Sequence, residues 1–169
     1  DVAHALPDGT VLDGEVLVWR DGSPQPFALL QKRITRKSVT ARVLADAPAV
    51  FIAYDLLEAD GLDQREQPQR ERRARLQALA SRSGLQVSPA VTAGSWREIA
   101  ALRDRSRERG VEGLMLKHLA STYRIGRTKD PERANWWKWK LDPYAVDAVL
   151  VYAQRGHGRR ASLYTDYTF

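Results

Sequence analysis

Four short segments carry residue types that could do chemistry at strand-like spacing. In Leu12-Asp13-Gly14-Glu15-Val16-Leu17-Val18-Trp19, alternation puts Asp13 and Glu15 on one face. Ionised carboxylates only accept hydrogen bonds, and on an apolar strand they are costly to bury without a partner. A ribose hydroxyl, a metal ion or a basic side chain would each serve; an exposed strand edge would remove the need. In Phe51-Ile52-Ala53-Tyr54-Asp55-Leu56-Leu57, alternation groups Tyr54 with Ile52 and Leu56. That ring suits core packing or stacking on a flat base, and the residues alone favour the core.

The third segment, Val111-Glu112-Gly113-Leu114-Met115-Leu116-Lys117, has a carboxylate and a lysine at the ends of an apolar strand. Taken alone it reads as an ordinary core strand. A regular strand sends Glu112 and Lys117 to opposite faces, so a bulge or twist is needed if both reach one ligand. Gly113 admits a close approach to the backbone. In Trp136-Trp137-Lys138-Trp139-Lys140-Leu141, Lys138 and Lys140 share a face with Trp136. Their Cα atoms should lie about 6–7 Å apart, a spacing that suits two ammonium groups gripping neighbouring phosphates. Trp137, Trp139 and Leu141 then face a core. An edge strand guarded by lysines is the plainer reading, but so much tryptophan surface calls for burial.

The elements that must position these segments alternate irregularly. Strands are expected over Thr10–Trp19, Val50–Leu57, Leu85–Val91, Val111–His118 and Trp136–Leu141. Helical spacing runs over Phe27–Leu44, and an Arg-rich helix over Pro68–Ala80 lies between an initial proline and Gly84. Ser95 with Glu98 forms a capping box for a helix reaching Arg109. A polar loop spans Ala120–Asn135. After the Asp142-Pro143 break, Ala145–Gln154 and Ala161–Phe169 read as a hairpin joined around Gly156-His157-Gly158. Several connections are too short for helical crossovers, so the class is mixed α+β with largely antiparallel sheets and flanking helices. The break divides the chain into 1–142 and 143–169, and the final strand-like run reads as cut short.

Composition narrows the partners. The net charge of +6 favours a polyanion, although arginines interleaved with Glu on helix surfaces explain part of it as a solvated face. No apolar run approaches the ~18 residues of a membrane span, and no signal pattern opens the chain. Without cysteine, disulfides and Cys-ligated zinc are excluded, and a reducing cytoplasm is compatible.

In order, D-G-E, F-x-x-Y-D, E-G-L-M-L-K and W-x-K-x-K resemble the covalent nucleotidyltransferase superfamily of DNA ligases, RNA ligases and mRNA capping enzymes. D-G-E-V-L-V-W, L-Q-K-R-I-T-R-K from Leu30, Y-D-L-L-E-A-D-G and A-V-D-A-V-L-V-Y-A-Q-R-G-H-G-R-R look like bacterial ATP-dependent DNA ligases. The resemblance implies an ATP-grasp-like nucleotidyltransferase domain followed by the first hairpin of an oligonucleotide-binding (OB) fold. It implies ATP, a divalent metal (Mg2+ or Mn2+), nicked double-stranded DNA as partner, a monomer, and the bacterial cytoplasm. Glu15 would bind ribose and Tyr54 would stack on adenine, where many relatives have phenylalanine. Glu112 would place the metal. Lys138 and Lys140 would hold phosphates, one offsetting charge on leaving pyrophosphate, and Lys117 joins the nucleotide contacts. Among Arg124, Arg127 and Arg133, Arg127 is the favoured nucleotide contact because it follows Gly126. The family nucleophile lies in K-x-D-G, which occurs nowhere in the chain. The chain is thus expected to be an inactive fragment of a ligase. The alternatives are a fragment of an RNA ligase or capping enzyme, or a non-catalytic nucleic-acid-binding module.

Overall fold

The computed structural model describes residues 2–124 and 135–169. Aliphatic, aromatic and β-branched residues build two long antiparallel strands, β1 (Val11–Arg20) and β3 (Ala49–Ala59). Around them forms a five-stranded sheet. β2 (Ser23–Pro24) pairs with the outer end of β1, while β4 (Leu62–Asp63) and β5 (Gln86–Val87) pair with β3. β6 (Gly113–Lys117) and β7 (Trp136–Lys140) form a separate antiparallel ribbon, and β8 (Tyr152–Arg155) pairs with β9 (Tyr164–Thr168). The mixed α+β class with antiparallel sheets holds, and β5, parallel to β3, is the exception.

Among the described residues, four α-helices accompany the strands: α1 (Phe27–Ile34), α2 (Ala41–Asp46), α3 (Gln69–Ser83) and α4 (Trp96–Asp104). Helix α3 lays Leu76 and Leu79 on Ala53 and Leu56 of β3, with Leu85 closing the cluster. Each of these leucines removes enough apolar area from water to contribute about 1.5–3 kcal/mol. A smaller cluster joins Leu30 of α1 and Ala47 to Val18 of β1.

Several boundaries differ from expectation. The single helix over Phe27–Leu44 is two, because hydroxyl residues compete for backbone partners. Thr35 Oγ1 donates back to the Gln31 carbonyl, and Thr40 Oγ1 accepts from Val43 N to start α2. Helix α3 begins after Pro68 as expected and runs past the expected Ala80 to Ser83, where Gly84 caps it. At α4, Ser95 Oγ accepts from Glu98 N, but the Glu98 carboxylate takes Gly94 N, so the capping box closes one residue early. The helix stops at Asp104 instead of Arg109, where Ser106 N turns onto the Arg103 carbonyl. The strand over Leu85–Val91 shortens to β5. The strand over Ala145–Gln154 shortens to β8, since β9 supplies register partners only opposite Tyr152 to Arg155.

Candidate functional site

The site begins with an irregularity between the long strands. Leu12 pairs with Leu56 and Gly14 with Ala53, yet Asp13 pairs with Asp55. Tyr54 is therefore the extra residue of a β-bulge. Ala53 and Leu56, three residues apart, both enter the core on α3. Asp13, Glu15, Ile52 and Asp55 take the opposite face, and Tyr54 joins them: its hydroxyl donates to Glu15 Oε2 at 2.6 Å. The grouping of Tyr54 with Leu56 is thus corrected, because plain alternation ends at the bulge. Glycine is required within D-G-E. A Cβ at Gly14 would lie 2.4 Å from the Ile52 carbonyl and 2.5 Å from the Phe51 ring.

Asp55 is fully buried and organises the cations around it. It accepts from Arg72 Nε at 2.8 Å and Nη2 at 3.1 Å, and from Lys117 Nζ at 3.2 Å. Arg72, also fully buried, donates further to Gln69 Oε1 and to the carbonyls of Gln67 and Ser121. A buried ion pair offsets its desolvation only when its remaining hydrogen-bonding capacity is used, and Arg72 uses it. Lys117 crosses from the ribbon to reach Asp55, and its ammonium lies 3.9 Å from the Trp136 ring centroid. Trp136 Nε1 donates to Ser121 Oγ, and Tyr123 meets the indole edge-on at 5.2 Å.

The electrostatics follow this crowding. Burial pushes the Lys117 ammonium below the ordinary lysine range, and Asp55 and Asp13 oppose that shift without cancelling it. Burial, the Glu15 bond and the charges of Glu15 and Asp13 push the Tyr54 phenol well above the ordinary tyrosine range. Tyr123 is raised by burial and then by the charge and hydrogen bond of Asp13.

The ribbon extends one face outward from Lys117. Register pairs Lys117 with Trp136, Met115 with Lys138, and Gly113 with Lys140, so Lys117, Trp136, Lys138 and Lys140 share that face. Glu112, just before β6, ion-pairs with Lys140, which holds its carboxyl below the usual carboxylate range. Gly113 supplies the required twist: its φ is +152°, and a Cβ there would sit 2.3 Å from the Trp139 carbonyl. Glu112 therefore reaches a lysine on the Lys117 face, where a regular strand would have sent it to the other. The opposite face is less buried than expected. Trp137 is 45% exposed, while Trp139 is half-buried between Trp96 and Arg103 of α4.

The structure thus gathers Glu15, Tyr54 and Lys117 around the Asp13–Asp55 face and strings Lys138, Lys140 and Glu112 along the adjoining ribbon. Arg127 and Arg133 lie outside the described residues, and Arg124 is exposed. Sequence reasoning missed Asp55, Arg72 and Tyr123. The aspartate in F-x-x-Y-D was a readable signal, whereas nothing separates Arg72 from Arg70, Arg73 and Arg75 without the fold. Among the described residues no group of three or more His, Cys, Asp or Glu could enclose a metal ion. Glu112 fits a different arrangement, in which Mg2+ takes one or two carboxylates plus substrate phosphates.

The mixed α+β fold agrees with the comparisons. A family model described as ATP dependent DNA ligase domain matches residues 1–140. A probable DNA ligase of Koribacter versatilis is 32% identical over 98% of this chain and 32% of its own length. A DNA ligase of Natronomonas pharaonis is 37% identical over 96% of this chain and 28% of its own. Among solved structures, a mycobacterial DNA ligase D complexed with ATP and MES is 30% identical at a TM-score of 0.55, over 75% of this chain and 36% of that one. A Lig E DNA ligase, 20% identical over 92% of this chain and 56% of that one at a TM-score of 0.63, shows the same fold. The chain spans about a third or less of the length of the curated relatives named here. On the match over residues 1–140, the chain belongs to the ATP-dependent DNA ligase domain family.

Proposed function

We propose that this chain holds the nucleotide-binding face of an ATP-dependent DNA ligase, and that the whole protein seals nicks in duplex DNA as a monomer in the bacterial cytoplasm. The observation that carries the reading is the bulge at Tyr54, which sets an aromatic ring, Glu15 and the Asp55–Lys117 pair on one face. Tyr54 offers adenine a π surface, its ring held by the bond to Glu15. Glu15 keeps acceptor capacity for a ribose hydroxyl, since an ionised carboxylate accepts about four hydrogen bonds. Lys117, Lys138 and Lys140 meet the phosphates along the ribbon face, and Arg127 adds a nucleotide contact. Glu112, released from Lys140 when phosphates draw that lysine away, would hold Mg2+. When bound, the metal would neutralise developing phosphate charge.

Residues 1–142 form the adenylation domain in this proposal, and 143–169 open an OB-fold domain of which β8–β9 is the first hairpin. In the whole protein a lysine nitrogen attacks the α-phosphorus of ATP and pyrophosphate leaves. AMP then passes to a 5′-phosphate at the nick, and the 3′-hydroxyl displaces it. That lysine belongs to K-x-D-G, absent from these residues, so this chain binds ATP without forming an adduct. Titration calorimetry with ATP and Mg2+ should give a heat that Lys138→Ala reduces by tenfold or more in affinity; equal heats reject the assignment. Labelled ATP should leave no covalent band on the chain, and a band would place the nucleophile within it.

A further inference from the structure

The positive charge of the chain is concentrated far more than its total suggests. Residues 22–45 carry five of the 27 Lys and Arg and none of the 21 Asp and Glu, leaving 22 against 21 for the rest. The five are Lys32, Arg33, Arg36, Lys37 and Arg42, all on α1, α2 or the turn between them. Elsewhere, Arg-rich stretches such as α3 and α4 include acidic residues that blunt their field.

The segment is held firmly while its charges face solvent. Leu30 and Ala47 pack on Val18, Arg33 Nη1 donates to the Ala47 carbonyl at 3.0 Å, and Arg20 Nη2 donates to the Asp46 carbonyl. Lys32, Arg36, Lys37 and Arg42 are exposed. The ion pair described there, Arg42 with Asp46, is 3.8 Å long between side chains 90% and 71% exposed, so water screens it. A preorganised cluster of cations without interleaved acids is what a polyphosphate surface needs: each phosphate contact releases condensed counterions.

We propose that the α1–α2 unit is a docking surface for the phosphate backbone of duplex DNA, separate from the nucleotide face. This rests on the ligase reading for the choice of duplex DNA. Its place in the fold suits that role. The unit packs at the Val18–Arg20 end of β1, beyond Glu15. The five residue steps from Glu15 to Arg20 span roughly 17 Å, which is about five base pairs of duplex axis at two charges per ~3.4 Å. By alternation Val18 lies on the α3 side of β1, opposite Asp13 and Glu15, so this surface is separate from the nucleotide face.

Fluorescence anisotropy of the full chain with a nicked duplex tests this. The Lys32→Gln, Arg36→Gln, Lys37→Gln triple variant should lower the slope of log affinity against log salt by about three. Binding at low salt should fall at least tenfold, equally for different sequences. The control triple, Arg70→Gln, Arg82→Gln, Arg97→Gln, removes the same net charge from exposed helix positions and should change the slope by less than one. Unchanged thermal melts establish that the variants fold, and Arg36→Lys, which keeps the charge, should retain the slope. Equal losses in both triples overturn the proposal, as does wild-type binding that prefers single strands or RNA to duplex. Heats with ATP are read in parallel. Normal ATP binding without loss of DNA affinity in the first triple refutes the surface alone, whereas absent ATP binding refutes the nucleotide site.

Discussion

Two ion pairs built from similar groups behave as opposites here. Asp55 and Arg72 are both fully buried and joined by two hydrogen bonds, with Lys117 as a third member. Glu112 and Lys140 are joined at the surface, with side chains 78% and 50% exposed. In the first pair every donor direction is fixed by protein, so the β3 strand, α3 and the ribbon are held in one arrangement. In the second, water competes for both partners and either can turn to a new ligand. Burial therefore separates the groups that hold the site's shape from those that can meet a charged substrate.

The comparison breaks most sharply at Arg72. Arg72→Ala leaves Asp55 buried with only Lys117, and should cost about 3–5 kcal/mol of folding stability. Urea denaturation measures it, and a loss below about 1 kcal/mol would mean that the pair organises nothing. Tyr54→Phe is expected to matter less, removing one hydrogen bond to Glu15 for about 0.5–1.5 kcal/mol. It also carries a pH signature. The folded phenol holds its proton above the ordinary pKa of 10.0, so from about pH 10 upward the unfolded state releases a proton that the folded state keeps. Stability then falls with rising pH. Wild type should lose stability above pH 10 more steeply than Tyr54→Phe; parallel melting curves would contradict the raised phenol. Smallest of all is Glu112→Gln, which should leave the melting temperature unchanged within error at neutral pH while weakening Mg2+-dependent ATP binding. A clear drop in melting temperature would show that the surface pair is structural after all.

The sequence carried the strands of the four segments, the proline and glycine that flank α3, and the shared face of Trp136, Lys138 and Lys140, because period-two patterns and proline–glycine punctuation are local. It did not carry the bulge. An inserted residue leaves no mark in composition, so plain alternation groups Tyr54 with Leu56 and gives no sign that Asp55 is the network's centre. Arg72 was hidden among neighbouring arginines, since only packing selects which one is buried. Thr35 and Thr40 were readable in principle as helix interrupters, yet apolar spacing through Leu44 outweighed them. The twist at Gly113 was legible as a need, and its φ supplied the means.

The bulge in β3 also bears on how this site can change over time. Because of it, neighbouring residues have unrelated duties: in the proposed function Tyr54 offers a surface to a ligand, whereas Asp55 ties the ribbon to the sheet. Deleting a single residue there would restore plain alternation and turn one of the two into the core. Recognition and architecture are thus linked at one codon's width. Exchanging the ring at position 54 leaves the register intact, but a frame-preserving deletion beside it would remove the Tyr54–Glu15 bond and the Asp55 tether together.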